Sequence, residues 1–369
     1  MEKRKALFIA ATGQHVGKTT TCLGLLSGLK KKYADVGFMK PVGQEHVEVD
    51  GIRVDKDVVL FKNYFQLEAD YKDMSPVLFP RGFTRDYLDG KINENDLSQS
   101  IQSSFSRISK APFTVVEGTG HVGVGSIVNL GNAQVAKSLN LDVIIIASGG
   151  LGSTFDELAL NKIQCDQAGV NIVGVILNRV LPEKMDMIKT YMQKALDRWN
   201  IPLLGCIPYN QFLSTPSFED FKNLLKTKLL SGEKHKLRHF KHMRLVATSA
   251  EIYRKLIIPS QLIITPASRE DIVLTTLTKF WDMQITNPDE NLESGMILTG
   301  SKPPSAKIIS ELKKADIPAL YAPLSSYDTM QKLGSYIAKI QAGDLKKILK
   351  AIHVVENHIN FDHLCDLIN

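Results

Sequence analysis

The sequence predicts an α/β protein, in which a doubly wound, mostly parallel sheet is followed by a second, smaller α/β domain. Three observations predict this fold. Short, continuously apolar runs alternate with amphipathic helical segments, a glycine-rich loop follows the first run, and the alternation resumes on a smaller scale after a basic segment. Continuous apolar strands that alternate with helices are typical of parallel sheets covered on both faces.

Length and composition are those of a folded protein of about two domains. The chain has 369 residues, of which 44% are hydrophobic and 23% charged. No apolar run approaches the roughly 18–20 residues of a membrane span, and the basic N-terminus leads directly into the first strand, unlike a signal peptide. The four cysteines are scattered without a C-x-x-C pair. We therefore expect a cytoplasmic protein with reduced thiols and no membrane partner.

Six apolar runs are predicted as strands of the first domain, each short enough to cross a sheet once. They are Lys5–Thr12, Asp35–Val42, Phe113–Thr119, Asp142–Gly149, Asn171–Asn178 and Pro202–Tyr209. Amphipathic segments of helical length lie between them, at Thr20–Tyr33, Ala133–Leu139, Thr154–Ala168 and Glu183–Trp199. In such a domain ligands bind at the carboxyl ends of the strands.

A basic segment interrupts this alternation. Eight Lys/Arg and one acid lie between Lys222 and Arg244. We expect a solvated linker; an anion contact is the alternative, and nucleic acid is not expected because no aromatic residues are interleaved with the charges. The predicted organisation is a first domain at 1–221, a basic linker at 222–243, a second domain at 244–343 and a helical tail at 344–369.

The second domain is predicted from shorter elements of the same kind. Strands begin near Arg244, Gln261, Gly295 and Pro318, and helices begin near Ala250, Arg269, Ser305 and Tyr327.

The loop after the first strand, IAATGQHVGKTTTCLG from Ile9, ends as phosphate-binding loops do. The usual pattern is G-x-x-x-x-G-K-[ST], but Thr12 stands where the first glycine would be. Backbone N–H groups of such a loop surround phosphate oxygens, the lysine reaches the β- and γ-phosphates, and the hydroxyl ligates Mg²⁺. The sequence therefore predicts Mg-ATP binding by Gly13, Gln14, His15, Val16, Gly17, Lys18, Thr19 and Thr20.

Glu117 ends a buried strand at the edge where the nucleotide is expected, and a glycine-rich loop to Ser126 follows it. A buried carboxylate must be paired or metal-bound, and Mg²⁺ commonly takes one or two carboxylates together with phosphates. We therefore predict Glu117 as a ligand of Mg²⁺. A plain surface loop remains the alternative for the glycine-rich segment.

These motifs resemble the dethiobiotin synthetase family. The matching residues are Val16-Gly17-Lys18-Thr19, Lys40-Pro41-Val42, Glu117-Gly118-Thr119-Gly120 and Asn178. The resemblance implies that Lys40 and Lys18 act with Glu117 in phosphate chemistry and that Thr19, Asp57 and Glu117 hold Mg²⁺. Asp55 is the alternative to Asp57. It also implies that Asn178 contacts the purine, with capping of the following turn as the other interpretation.

A wider resemblance is to the N-terminal region of long bacterial phosphotransacetylases. SPVLFPRGFTRDYLDGK and LLGCIPYNQFLSTPSFEDF are similar to it, and LIITPASREDIVLTTL with MILTG resembles the DRTGG domain that follows there. Ser268 replaces the aspartate of that domain. We expect no phosphotransacetylase catalytic domain, because the sequence has no counterpart of it.

The functional expectation is a regulatory Mg-ATP-binding protein whose DRTGG-like domain binds an unknown small molecule. Whether ATP is hydrolysed or only bound is open. An ATP-dependent ligase acting on a carboxylate or carbamate is the alternative, and a scaffold whose nucleotide is structural is a third interpretation. His15 and Gln44 depart from the residue types of the synthetase family at its diamine site, so we do not expect dethiobiotin as product. The expected partners are a nucleotide and a second copy of the chain in a homo-oligomer, a dimer.

Overall fold

The computed structural model describes residues 5–368, and the predicted domain limits at Met1 and Asn369 lie outside these residues. The chain forms two compact units, one of residues 5–210 with 340–368 and one of residues 211–339. Each unit is built on its own sheet.

The first unit contains ten strands. They are β1 (Lys5–Ala11), β2 (Val36–Met39), β3 (Val42–Gly43), β4 (His46–Val49), β5 (Ile52–Asp55), β6 (Val77–Leu78), β7 (Phe113–Glu117), β8 (Val143–Ser148), β9 (Ile172–Val180) and β10 (Leu203–Pro208). Its helices up to residue 210 are α1 (Lys18–Lys30), α2 (Lys56–Phe65), α3 (Tyr71–Met74), α4 (Phe83–Leu88), α5 (Glu94–Ile108), α6 (Asn132–Ser138), α7 (Gly152–Ala168) and α8 (Met185–Asp197).

Six of these strands form a parallel sheet in the order β10-β9-β8-β1-β7-β2. The predicted doubly wound sheet is thus confirmed, and all six predicted strands are present with ends moved by a few residues. β1 lies between β7 and β8, and its register places Ile9 beside Glu117. The loop after β1 therefore emerges next to the end of β7, at the edge where ligands bind in such sheets.

A β-hairpin, formed by β4 and β5, is an element that the sequence analysis did not predict. Asp50 and Gly51 connect its strands, and both have positive φ, 50° and 74°. Asp-Gly is the residue pair that favours a two-residue hairpin turn of this kind. The hairpin leads into Asp55, which caps α2 by accepting a hydrogen bond from the backbone N–H of Asp57.

The second unit holds a five-stranded sheet in the order β11-β15-β14-β13-β12, parallel except for β11. Its strands are β11 (Leu229–Ser231), β12 (His242–Leu245), β13 (Gln261–Pro266), β14 (Gly295–Thr299) and β15 (Ala319–Ala322). Its helices are α9 (Gln211–Ser214), α10 (Phe218–Leu225), α11 (Ala250–Arg254), α12 (Glu270–Thr286), α13 (Ala306–Lys314) and α14 (Ser326–Gly334).

The basic segment 222–243 is not a linker in the structure, which corrects that prediction. Its middle forms β11, which pairs with β15 and joins the second sheet. Phe218 and Phe221 on the preceding helix and Phe240 after the strand pack into one core of the second unit. The high content of lysine and arginine made the segment look fully solvated. Such side chains can nevertheless cover a core while their charged ends stay in water.

Two helices complete the chain, α15 (Leu345–Glu356) and α16 (Phe361–Ile368). They belong to the first unit rather than extending the second, and they pack on α1. A Cβ on Gly24 would lie 2.3 Å from Val355, and one on Gly28 would lie 2.2 Å from the Phe361 ring. The glycines of α1 thus permit close packing by the C-terminal helices against the helix that follows the phosphate-binding loop.

No helix within residues 5–368 is both long and apolar enough to cross a membrane.

Candidate nucleotide-binding site

The loop between β1 and α1 has the backbone of a phosphate-binding turn. Gly17 has φ of 96° and His15 has φ of 59°, both in the left-handed region. A Cβ on Gly17 would lie 2.0 Å from the side-chain nitrogen of Asn178, so only glycine fits there. Gly13 has neither positive φ nor a neighbour closer than ordinary van der Waals contact, so its conformation does not require glycine. Gln14 and His15 are exposed, and Val16 is buried beneath the loop.

Lys18 is the first residue of α1, and its side chain folds back over the loop. Its ammonium group donates to the backbone carbonyl of Gly120 at 2.6 Å and lies 3.4 Å from that of Gly13. The loop after β7 therefore supplies the main contact of this lysine. Both acceptors are neutral carbonyls, so a phosphate oxygen would form the stronger, charge-assisted hydrogen bond with the same ammonium.

Thr19 and Glu117 are in direct contact, as the predicted Mg²⁺ ligands should be. The Thr19 hydroxyl donates to Oε1 of Glu117 at 3.1 Å. The other carboxylate oxygen of Glu117 is buried and has no hydrogen-bond partner within residues 5–368. A buried unpaired carboxylate oxygen is costly, and a bound cation would remove that cost.

Lys40 joins the two rival aspartates, so the structure brings both of them to the site. Its ammonium lies 3.1 Å from Oδ1 of Asp55 and forms a shorter contact with Asp57. Asp55 is almost fully buried, whereas the Asp57 carboxylate is partly exposed. Asp55 caps α2 through one oxygen, and its other oxygen has no partner within residues 5–368. Both aspartates pair with Lys40, so this pairing does not decide which of them is the ligand of Mg²⁺.

The electrostatics of this cluster are dominated by burial and by one excess acid. Burial raises the pKa of Glu117 to about 7, although Lys40 opposes the shift. Burial likewise raises the pKa of Asp55, again opposed by Lys40. Burial lowers the pKa of Lys18, with Glu117 acting in the opposite direction. Burial alone would lower the pKa of Lys40 too, but the neighbouring carboxylates of Asp57, Asp55 and Glu117 raise it well above its usual range.

The residues present fit Mg²⁺ bound together with phosphate. No three carboxylate, imidazole or thiol groups within residues 5–368 are arranged to hold a metal by themselves. Mg²⁺ usually takes one or two carboxylates and completes its octahedron with phosphate oxygens and water. Glu117 and Thr19 would hold the ion, and Lys18 would contact the phosphates. The ion would neutralise charge on the phosphates and on the excess acid.

Asn178 lies under the phosphate-binding loop, where it supports the loop backbone. Its side-chain nitrogen donates to the carbonyl of Val16 at 2.8 Å, and its oxygen accepts from the backbone N–H of Arg179 at 2.9 Å. The side chain is buried. These contacts give Asn178 a structural role, in which it holds the loop and the backbone of β9, while capping of the following turn and a contact with the purine both stay predictions.

Asn132 is a site residue that the sequence analysis missed. It begins α6, and its amide accepts from the Thr119 N–H at 3.1 Å and donates to the carbonyl of His121 at 2.9 Å. It thereby fixes the loop that presents the Gly120 carbonyl to Lys18. A signal was available, since Gly131-Asn132 precedes a predicted helix, but an asparagine there is equally typical of an ordinary helix start.

The sheet order and the glycine-lysine-threonine loop define a P-loop domain. A family described as AAA domain matches residues 5–217, more than half of the chain, and the chain belongs to this family. A second family, DRTGG domain, matches residues 220–336. These matches confirm the predicted resemblance of both parts. The DRTGG match begins at residue 220 and the second unit at residue 211, so both begin before the basic segment.

Curated relatives show the same two-part similarity. The chain is 27% identical over 369 residues to a phosphate acetyltransferase of Nitrosomonas europaea, covering 95% of this chain and 50% of that protein. A phosphate acetyltransferase of Pseudomonas aeruginosa is 27% identical over 381 residues, with 97% and 51% covered. An ATP-dependent dethiobiotin synthetase of Clostridium kluyveri is 27% identical over 186 residues, with 47% and 74% covered. The chain thus spans about half the length of the phosphate acetyltransferases that it matches.

Proposed function

We propose that this chain binds Mg-ATP at its phosphate-binding loop and that the bound state is coupled to a small molecule at the DRTGG domain, so that the function is regulatory. The observation that carries the proposal is the contact of Thr19 with the buried, half-partnered carboxylate of Glu117, beside Lys18. A hydroxyl and a carboxylate held together at a phosphate-binding loop are the protein ligands that a nucleotide-bound Mg²⁺ needs.

Calorimetric titration of the full chain with a slowly hydrolysed ATP analogue, with and without Mg²⁺, tests this. Lys18→Ala should weaken binding by at least about 100-fold, because a charged contact with phosphate is lost in a partly buried site. Thr19→Ala should reduce the dependence on Mg²⁺. Lys110→Ala, an exposed lysine on the same unit, is the matched control and should bind as the wild type does. Undiminished binding by Lys18→Ala would overturn the assignment.

A ligase is the second candidate function, and a specific observation favours it. Lys40 stands beside the cluster with its ammonium held by two aspartates, where it could contact a substrate carboxylate or carbamate as well as phosphate. Phosphate release from Mg-ATP, measured with and without added carboxylic acids, separates a ligase from a regulatory protein. Stimulation by an acid would favour the ligase; slow release unaffected by any acid would favour regulation.

We further propose that the chain does not make dethiobiotin. His15 and Gln44 are both exposed residues of other types than the synthetase family has at its diamine site. Loss of substrate positioning removes an advantage worth roughly 7–11 kcal/mol at best. Diaminopelargonate, bicarbonate and Mg-ATP should therefore yield no cyclic urea detectable by mass spectrometry. Product formation on the order of 1 per second would contradict this proposal and favour the ligase function over the regulatory one. We also propose that the chain is cytoplasmic and assembles as a homodimer; light scattering of the purified protein checks the dimer.

A further inference from the structure

A pocket of about 180 Å³ lies in the second unit, at the amino ends of its parallel strands. Its lining includes Ser294, which precedes β14, and Asp316 and Ile317, which precede β15. Because β11 runs antiparallel to β15 and ends at the same edge, the turn after it brings His235 and Arg238 into the lining. The pocket is therefore at the opposite edge of the sheet from the carboxyl ends, where ligands of such sheets usually bind.

The turn after β11 is fixed against this edge at two places. Gly232 has φ of 71°, and a Cβ there would lie 2.4 Å from the Cα of Pro318, so glycine permits the close approach. At the start of α10, the N–H of Phe218 donates to the carbonyl of Arg238 at 2.9 Å. The basic segment, which the sequence analysis expected to be a solvated linker, thus places two of its side chains along a pocket.

The guanidinium of Arg238 is half-buried and lacks an acid partner. It donates to the backbone carbonyl of Ser294 at 3.1 Å and forms no ion pair with any residue that the structure describes. Burial lowers the pKa of Arg238 from its ordinary value, against the attraction of Glu293 and Asp316. A guanidinium has five N–H donors, so donors remain for a ligand carboxylate, which it can bind in a bidentate geometry.

A hydroxyl group of the lining is also unsatisfied. Ser294 is 2% exposed, and its Oγ has no hydrogen-bond partner among residues 5–368. A buried polar atom without a partner costs free energy, and an oxygen atom of a bound molecule would remove that cost by accepting its hydrogen bond. The hydroxyl and the neighbouring guanidinium therefore both favour a ligand that carries acceptor oxygens.

Asp316 imposes the opposite requirement. Its carboxylate is partly exposed and lies 3.3 Å from Nε2 of His235. Burial, and then the charge of Arg238, lower the pKa of His235, so the imidazole is mostly neutral at pH 7 and does not cancel the charge of the carboxylate. The lining thus carries one cation and one anion. A ligand with a net charge would leave one of them uncompensated, whereas a zwitterion would match both.

The remaining lining is mostly apolar. Phe280 is half-buried and packs on the core of the unit, while Ala315 and Ile317 are buried in that core. Asn291 completes the lining and is exposed. Apolar carbon of a ligand would gain by leaving water at this side. The volume equals about six water molecules at roughly 30 Å³ each, so the ligand must be small.

We propose that this pocket binds a small apolar α-amino acid as its zwitterion. The carboxylate binds Arg238 and the Ser294 hydroxyl, and the ammonium binds Asp316 while the side chain lies beside Phe280. A simple carboxylic acid would leave Asp316 without a partner, and a simple amine would do the same to Arg238. That this amino acid is the regulatory ligand of the DRTGG domain rests on the proposed function, but its binding does not.

The probes are L-valine, isovalerate, which lacks the ammonium group, and L-valinamide, which lacks the carboxylate. Each is titrated into the full chain at pH 7 without nucleotide and followed by ligand-observed NMR or calorimetry. L-valine should bind saturably and at least about tenfold more tightly than either analogue, since each analogue lacks one charge-assisted contact. Equal binding of L-valine and isovalerate would indicate a simple anion site and would overturn the proposal.

Two variants separate the two charged contacts. Asp316→Asn should remove the preference for valine over isovalerate and keep the preference over valinamide, whereas Arg238→Gln should do the reverse. A side chain that only supports the shape of the pocket would weaken all three probes alike when it is changed. Asp282→Asn and Arg254→Gln alter exposed residues of the same unit outside the lining, and these matched controls should keep both preferences.

Two further arms separate the possible failures. Circular dichroism during heating shows whether each variant folds, and if Arg238→Gln does not, the wild-type probe series and Asp316→Asn still decide. Lys18→Ala should bind L-valine as the wild type does, even when it no longer binds the ATP analogue, so a failed nucleotide site and a failed pocket give different results. No saturable binding of L-valine by the wild type, or an equal loss of all three probes in Asp316→Asn, would overturn the proposal.

Discussion

The two units place very different side chains at the carboxyl ends of similar parallel strands. In the first unit five ionisable groups meet there, namely Lys18, Lys40, Asp55, Asp57 and Glu117. In the second unit the same region of the sheet is largely lined by hydroxyl groups. Thr299 and Ser326 share a hydrogen bond at 2.6 Å, and Thr265 is fully buried.

The charged pair that follows β13 lies at the surface. Arg269 pairs with Asp271 at 2.8 Å, and both side chains are substantially exposed. The comparison teaches that similar sheets offer a binding edge at the carboxyl ends of their strands, but that the side chains placed there determine its chemistry. At the first edge the burial of an excess acid costs free energy that a bound cation would offset, whereas the second edge carries the hydroxyl groups of Thr299 and Ser326.

The sharpest test of the division into two units uses fragments. Residues 211–339 should fold alone with a cooperative thermal transition, because they contain both cores and all five strands of the second sheet. Residues 241–369 should not, since that fragment lacks Phe218, Phe221 and β11 and carries C-terminal helices whose partner is α1. Circular dichroism during heating measures both. A cooperative transition of similar size in the 241–369 fragment would contradict this division.

A substitution that breaks the charged cluster of the first unit should lower the free energy of unfolding more than a substitution at the edge of the second sheet. Lys40→Met keeps the apolar stem but leaves Asp55 buried without its cation, and removing one partner of a buried pair typically costs about 3–5 kcal/mol. Urea unfolding at neutral pH measures the loss. Lys56→Met is the control, because that lysine is exposed and lies 3.6 Å from an exposed glutamate. Similar losses in both variants would mean that Lys40 does not compensate a costly buried charge on Asp55.

The raised pKa of Glu117 predicts a pH dependence of stability in the nucleotide-free protein. Its folded value of about 7 lies above its ordinary 4.5, so the folded state holds this proton more tightly than the unfolded state. The stabilisation is complete below the ordinary value and is lost as pH rises through about 7. Between about pH 5 and about pH 8 the wild type should lose on the order of 3 kcal/mol relative to Glu117→Gln. Parallel unfolding curves for the two proteins across this range would show that Glu117 titrates normally.

The fold was largely predictable from the sequence because its signals are local and repeated. Buried strands such as Phe113–Glu117 are apolar at every position, and the loop before Lys18 has a short, specific pattern. The two-residue turn at Asp50-Gly51 carried an equally local signal that was overlooked. Strand β11 was not predicted, because the lysines around it made the segment resemble a solvated linker.

The site was predictable in its parts but not in its pairings. The motif identified Lys18 and Thr19, but the Gly120 carbonyl that holds Lys18 lies 102 positions away along the chain. The choice between Asp55 and Asp57 was open because both are near Lys40, and the role of Asn178 depended on which backbone group faces its amide. Such contacts depend on the tertiary fold, and no local pattern encodes them.

The smallest expected effect comes from the charged pair of the second unit. Arg269→Ala removes the contact with Asp271 and a hydrogen bond to the Thr248 carbonyl at 2.9 Å, both at the surface. Exposed ion pairs typically contribute less than about 1 kcal/mol, because water screens the charges and two flexible side chains lose freedom. Urea unfolding should therefore place Arg269→Ala close to the wild type, with any loss shrinking further at high salt. A loss as large as that of Lys40→Met, unchanged by salt, would contradict the difference between the two edges, because it would mean that the Arg269–Asp271 pair is as important for stability as the buried cluster of the first unit.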